Sequence, residues 1–235
     1  VPSREGCDVR SQQPLGTKRD QIVDDLRQLI FSGEIRRGER LRQDALAERF
    51  QTSITPVREA FRILESDGLV ISEPHRGVRV AAVDLARVET IYVLRRLAET
   101  YAMRRATVRV SALDMRTAEA LVADMERAGS AHDSEQVRRL NRTFHFFFYD
   151  RCGMPGLADH IASLWTSFPW DVLLGLPERL RASGEEHREI VRAVRSGDPD
   201  AAAAAIENHL REGFLAVTAH LGGDETTDSF DDDLV

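Results

Sequence analysis

The chain has 235 residues, 42% hydrophobic and 30% charged, with a formal net charge of -7. That is enough for one large domain or two small ones, and too apolar for a wholly disordered chain. No apolar run approaches the roughly 18 residues of a membrane span, and two cysteines, Cys7 and Cys152, exclude a disulfide scaffold and a cysteine zinc site.

Residues 1–16 mix polar residues, Pro and Gly without periodicity and read as a flexible leader. They hold no apolar core of the signal-peptide kind, so the expected location is the reduced cytoplasm. From Thr17 the pattern turns helical, with Ile22, Leu26, Leu29 and Ile30 on one face. A short second helix follows, its inner face formed by Ala45, Leu46 and Phe50. The polar turn Gln51-Thr52-Ser53 leads into a third helix, with Ser53 or Thr55 as N-cap and Pro56 in the first turn. Asp67-Gly68 ends it, Gly68 serving as a left-handed cap. Leu69–Ile71 and Val78–Val80 then read as two strands around a turn at residues 73–77.

Beyond Asp84 the signals are helical throughout. Six segments are expected, near 84–108, 112–129, 133–151, 154–170, 178–196 and 199–220, punctuated by Gly129, Gly153, Pro177 and Gly197-Asp198-Pro199. The fold class is therefore mainly α. Residues 17–83 form a winged helix-turn-helix of three helices plus a β-hairpin, and residues 84–221 an all-α six-helix bundle. Residues 222–235 form an acidic flexible tail.

The winged plan directs the third helix into a DNA major groove, with its N-terminal residues on base edges and phosphates. Ser53, Thr55, Arg58 and Arg62 occupy that end. His75, Arg76 and Gly77 form the hairpin tip, and Arg42 opens the second helix as a further phosphate contact. A pI near 5.6 counts against a basic nucleic-acid binder. The acidity is unevenly placed, however. Residues 222–235 carry six acidic side chains and no basic one, while residues 17–83 carry twelve basic and eleven acidic ones.

In the bundle, Asn141 and His145 share a helix face at four-residue spacing. His187 and His209 lie equidistant from the turn at Asp198. In an antiparallel hairpin both stand about 16 Å from that turn, face to face. If the helix with His145 packs alongside, three imidazole nitrogens converge, a set suited to zinc, nickel or a similar ion. Histidines on helices are more often packing or surface groups, and His132, His160 and His220 are read that way. Arg95 sits among apolar residues. It either pairs with Glu99 one turn on or awaits an anionic ligand, for which its planar fork is suited.

The run from Thr52 to Phe61, with Leu46-Ala47, Leu64, Asp67–Val70 and Arg76–Val80 around it, resembles the DNA-reading signature of the GntR family of bacterial transcription regulators. Residues 84–220 resemble the ligand-sensing domain of its FadR subfamily. The resemblance implies operator DNA as a partner, a homodimer, and a repressor released by a small organic acid. It implies that Arg95 and Glu99 bind the effector and that Asn141, His145, His187 and His209 hold a divalent metal, zinc foremost, with nickel or manganese as alternatives. Two positions depart from the family pattern. Ile54 replaces an arginine in the recognition helix, and Asn141 replaces a ligand carboxylate. The rival readings are a metal-dependent hydrolase-like enzyme and a regulator with a metal-free pocket.

Overall fold

The structure is a computed structural model and describes residues 17–222, His75 excepted. The expectations for residues 1–16, for His75 and for the tail from 223 onward lie outside the described residues.

The N-terminal part is built from α1 (Lys18–Phe31), β1 (Arg40–Leu41), α2 (Gln43–Arg49), α3 (Ile54–Ser66), β2 (Val70–Glu73) and β3 (Gly77–Val80). A capping box starts α1: Thr17 and Asp20 satisfy each other's backbone N–H groups. Its apolar face, including Ile22, Leu26 and Ile30, is buried against α3, whose stripe is Val57, Ala60, Phe61 and Leu64. Gly68 has φ 72°, and the Leu69 N–H bonds the Leu64 carbonyl, closing α3 in the left-handed manner expected. A Cβ on Gly68 would lie 2.7 Å from Cζ of Arg87, so this position also permits close approach of the following helix.

The hairpin pairs Val70 with Val80 and Glu73 with Gly77. The sequence reading expected two strands here, and the sheet has three, in the order β1-β3-β2. The added β1 pairs Arg40 with Arg79 and Leu41 with Val78. Two residues are too few to show an alternating pattern, which is why the periodicity reading passed over them.

The C-terminal part comprises α4 (Leu85–Thr107), α5 (Ala112–Ser130), α6 (Ser134–Tyr149), a 3-10 turn (Asp150–Cys152), α7 (Pro155–Ser167), α8 (Trp170–Leu174), α9 (Pro177–Arg195) and α10 (Pro199–His220). Six helices were expected and the described residues form seven. The helix expected over 154–170 stops at Ser167. Pro169 forces the preceding Phe168 into an extended conformation (ψ 141°), and the short α8 starts afresh beyond it.

The long α4 is the axis of the bundle and packs on α10, α7 and α6. In α6, Phe144, Phe148 and Tyr149 are fully buried, Phe146 is buried and Phe147 half-buried, so this helix is enclosed on nearly every side. Asp198 caps α10 by accepting from the Asp200 and Ala201 N–H groups, and Gly197 (φ 74°) turns the chain sharply, so α9 and α10 lie side by side.

Removing the fully buried isopropyl group of Leu64 from the small N-terminal core leaves a cavity there. Leu64→Ala is expected to lower unfolding stability by about 2–5 kcal/mol, measured by urea titration. A loss below about 0.5 kcal/mol would contradict this account of the core.

Candidate functional site

The outward face of α3 is polar and basic. Ser53 takes the N-cap position with extended backbone, although its side chain makes no capping bond, and Thr55 is exposed in the first turn. Arg58 and Arg62, four residues apart, project from the same face. Among the described residues neither has an ion-pair partner. Ile54 lies on this face with 44% of its surface exposed. Arg42 is the N-cap of α2 and bonds Asp44 at 2.6 Å. Arg76 and Gly77 are exposed at the hairpin tip, Gly77 with φ 87°.

The second constellation is buried in the bundle. His145 from α6, His187 from α9 and His209 from α10 are all buried, and each offers a nitrogen within 4.8 Å of the others. The hairpin arithmetic is visible in the geometry: the His187 and His209 rings lie 4.7 Å apart, and His145 stands 5.2 and 5.0 Å from them. Burial pushes the His145 and His187 imidazoles well below their ordinary pKa, and the neighbouring imidazoles push the same way. Burial also lowers that of His209, against the opposing pull of Glu186. The cluster is therefore neutral at pH 7, the form in which imidazole binds a metal.

Each ring is held from behind. The Nδ1–H of His209 donates to Oε2 of Glu186 at 2.7 Å. Nδ1 of His145 lies 3.2 Å from the Tyr149 hydroxyl. That hydroxyl already donates its proton to Glu99 at 2.5 Å, so the His145 ring must carry its proton on Nδ1. In both rings the Nε2 lone pair is left for the centre. Nε2 of His145 and Nε2 of His187 are 3.3 Å apart. Two nitrogens bound tetrahedrally to one zinc at 2.0–2.1 Å stand about that far from each other. The donor set thus fits a divalent cation. Asn141, buried one turn before His145, lines a cavity together with His187 and His209.

Glu99 has no solvent exposure, and every contact it makes is internal. Arg95 Nε donates to it at 2.6 Å, Trp165 Nε1 at 2.9 Å and Tyr149 at 2.5 Å. Of the two alternatives for Arg95, pairing and ligand binding, the geometry includes the first and leaves room for the second. Its guanidinium pairs with Glu99, lies over the Trp165, Phe168 and Trp170 rings at 4.9, 4.8 and 5.3 Å, and still lines the cavity. Glu99 does not line it.

That cavity measures about 790 Å³. Arg95, Asn141, His187 and His209 line one region, and Val122, Met125, Phe168, Trp170, Leu173 and Leu210 are among its apolar walls. His132, read from the sequence as a surface or packing residue, stands exposed at its edge. Two lining or supporting residues escaped the sequence reading. Arg179 is buried, bonds Glu186 at 2.8 and 2.5 Å and reaches the His209 carbonyl at 3.3 Å. Burial pushes the Glu186 carboxyl up, but the bonds from His209 and Arg179 outweigh it and leave its pKa below the usual value. Their seven-residue spacing on α9, two helical turns, was the available signal.

Residues 18–80 match the family described as bacterial regulatory proteins, gntR family, and residues 90–212 match the FCD domain. The chain is 31% identical over 186 residues to the HTH-type transcriptional regulator McbR of Escherichia coli, covering 77% of this chain and 83% of that protein. It is 28% identical over 216 residues to a probable D-xylose utilization operon transcriptional repressor of Paenarthrobacter nicotinovorans, covering 88% and 91%. The solved structure of E. coli McbR/YncC superposes with a TM-score of 0.77 at 25% identity, covering 88% of this chain and all of that one. These relatives are DNA-binding regulators, not enzymes.

Glu99→Ala would strand the Arg95 guanidinium, the Tyr149 hydroxyl and the Trp165 N–H in a dry interior. A loss of about 3–5 kcal/mol is expected from breaking such a buried pair, and a smaller one for Glu99→Gln, which keeps an acceptor. Paired denaturation curves check this, and an alanine variant as stable as the wild type would contradict it.

Proposed function

Since the chain belongs to the GntR family of bacterial regulatory proteins and carries an FCD domain, we propose that it is a ligand-responsive repressor acting on operator DNA in the cytoplasm. Residues 17–83 read the DNA. Arg58 and Arg62 of α3, with Ser53 and Thr55 at its start, contact bases and phosphates, while His75, Arg76 and Gly77 at the wing and Arg42 on α2 hold the backbone. Ile54 contributes only an apolar contact on that face. Residues 84–221 sense a small organic acid.

The observation that carries this reading is the shared cavity. Arg95, Asn141, His187 and His209 open on one apolar-walled space, so a carboxylate has a cationic anchor and a place for its carbon body. His145, His187 and His209 hold a divalent metal, zinc foremost, with Asn141 as a further neutral donor. When bound, the ion supplies positive charge beside Arg95 for the carboxylate. Glu186 and Tyr149 orient the imidazoles, and Glu99 orients Arg95 rather than touching the effector. The amide at Asn141 favours one alternative, a pocket that takes its acid on Arg95 without metal.

A homodimer on a two-fold operator is supported by α4. Leu94, Leu97 and Tyr101 are each about half exposed, and Val108, which caps the helix, is 63% exposed. Their 3-4-7 spacing forms one apolar seam, the pattern by which two helices pair. Ligand regulates DNA binding by favouring one arrangement of the two heads, since equal affinity for both would shift nothing.

Binding to a DNA fragment from the chain's own upstream region tests the central assignment. Arg58→Ala is expected to weaken it by about 1–3 kcal/mol, and binding is expected to fall steeply with added salt as phosphate contacts release counterions. Fluorescence anisotropy reads both. Absence of binding, or binding indifferent to salt, would overturn the assignment.

A further inference from the structure

The short helix α8 has two faces with different business. Trp170, Leu173 and Leu174, at i, i+3 and i+4, line the cavity. Asp171 belongs to the other face and leaves the bundle altogether. Its two carboxylate oxygens accept from Nη2 and Nε of Arg37 at 2.7 and 2.9 Å. Arg37 lies in the loop between α1 and β1, 134 residues away in sequence. Its remaining nitrogen, Nη1, donates to the Ala81 carbonyl at 3.2 Å, just beyond β3. One guanidinium therefore ties the base of the wing to a wall of the cavity. The pair is partly sheltered, with 21% and 13% of the two side chains exposed, and the bidentate fork fixes the relative orientation of its two ends.

The α8 helix is also the shortest helix lining that cavity. It has five residues and no side-chain cap at its start, and it lies between Pro169 and Gly175. So short a helix derives its position from tertiary contacts rather than from its own ladder. Gly213 of α10 lies against it: a Cβ added there would stand 3.9 Å from Cδ2 of Leu173, in ordinary van der Waals contact. A side chain larger than a methyl at Gly213 therefore presses directly on α8.

We propose that α8 is the latch by which occupancy of the cavity reaches the DNA-reading head. With the cavity open, Asp171 grips Arg37 and holds the head in its operator-binding arrangement. Bulk placed against Trp170 and Leu173 displaces α8, parts Asp171 from Arg37 and releases the wing. This rests on the sensor reading above for its biological meaning, but the latch itself is a mechanical coupling within one chain.

The test needs no knowledge of the effector, because Gly213→Leu places bulk against Leu173 permanently. The full-length wild type, Gly213→Leu, Asp171→Asn, their combination, and the charge exchange of Arg37→Asp with Asp171→Arg are compared. Two readouts are used: hydrogen exchange at the Gly38 and Val80 amides, which bond the Val80 and Glu39 carbonyls at the wing base, and affinity for a duplex selected by the wild type. Gly213→Leu and Asp171→Asn are each expected to speed exchange at these amides and to weaken DNA binding about tenfold, within the usual range of coupling between sites. The combined variant is expected to be no worse than either alone, and the charge exchange to restore both readouts toward wild type. Additive effects in the combined variant, or wild-type exchange in Asp171→Asn, would overturn the latch. If Gly213→Leu proves unstable, Asp171→Asn and the charge exchange decide alone. A wild type that selects no duplex would sink the regulator reading, while the exchange measurements would still decide the latch.

Discussion

One carboxylate organises the centre of this molecule. Glu99 is sealed from solvent and would be intolerable there without partners. It receives a guanidinium, an indole N–H and a phenol from three helices, so α4, α6 and α7 can meet only in the register that brings Arg95, Tyr149 and Trp165 together. Its hydrogen bond from Tyr149 fixes the tautomer of His145, and its pairing with Arg95 holds that guanidinium over three aromatic rings at the cavity wall. The imidazole cluster and the Arg95 guanidinium are thus two ends of one hydrogen-bonded chain. Such a network costs stability if any member is lost, and it leaves the cavity with a fixed polar end.

On the other side of the cluster, Arg179 and Glu186 do the same for His209. The two supports differ in character. The Glu99 side is dry and buried to its last atom. Glu186 sits nearer the surface, with 14% of its side chain exposed. The imidazoles between them are stripped of water and kept neutral, so they are prepared to donate lone pairs rather than to carry charge. A cavity with this polar end and apolar walls suits a ligand with an acidic head and a carbon body, and one of its walls, α8, is joined to the N-terminal part through Arg37.

Much of this was legible in the sequence because it follows from local period and chain geometry. The three head helices, the left-handed cap at Gly68 and the long helices of the bundle came from residue spacing. The meeting of His187 and His209 followed from their equal distance to Asp198, since an antiparallel hairpin leaves little freedom. What was illegible depended on partners far apart in the chain or on elements too short to have a period. The two-residue β1 and the five-residue α8 show none, and the break before α8 was signalled only by Pro169. The meeting of Arg37 with Asp171 has no local trace. The roles of Tyr149 and Trp165 were hidden because both read simply as core aromatics, and only their polar tips, aimed at Glu99, distinguish them. The pairing of Glu99 with Arg95 was open to the sequence from their four-residue spacing, whereas its bonds to Tyr149 and Trp165 join distant parts of the chain.

The most direct test of the sensor account is calorimetric titration of zinc into chelator-stripped, full-length protein, beside the His187→Ala variant. The account predicts one tightly bound ion per chain in the wild type and loss of that binding in the variant. No stoichiometric uptake by the wild type, or uptake unchanged by His187→Ala, would contradict it.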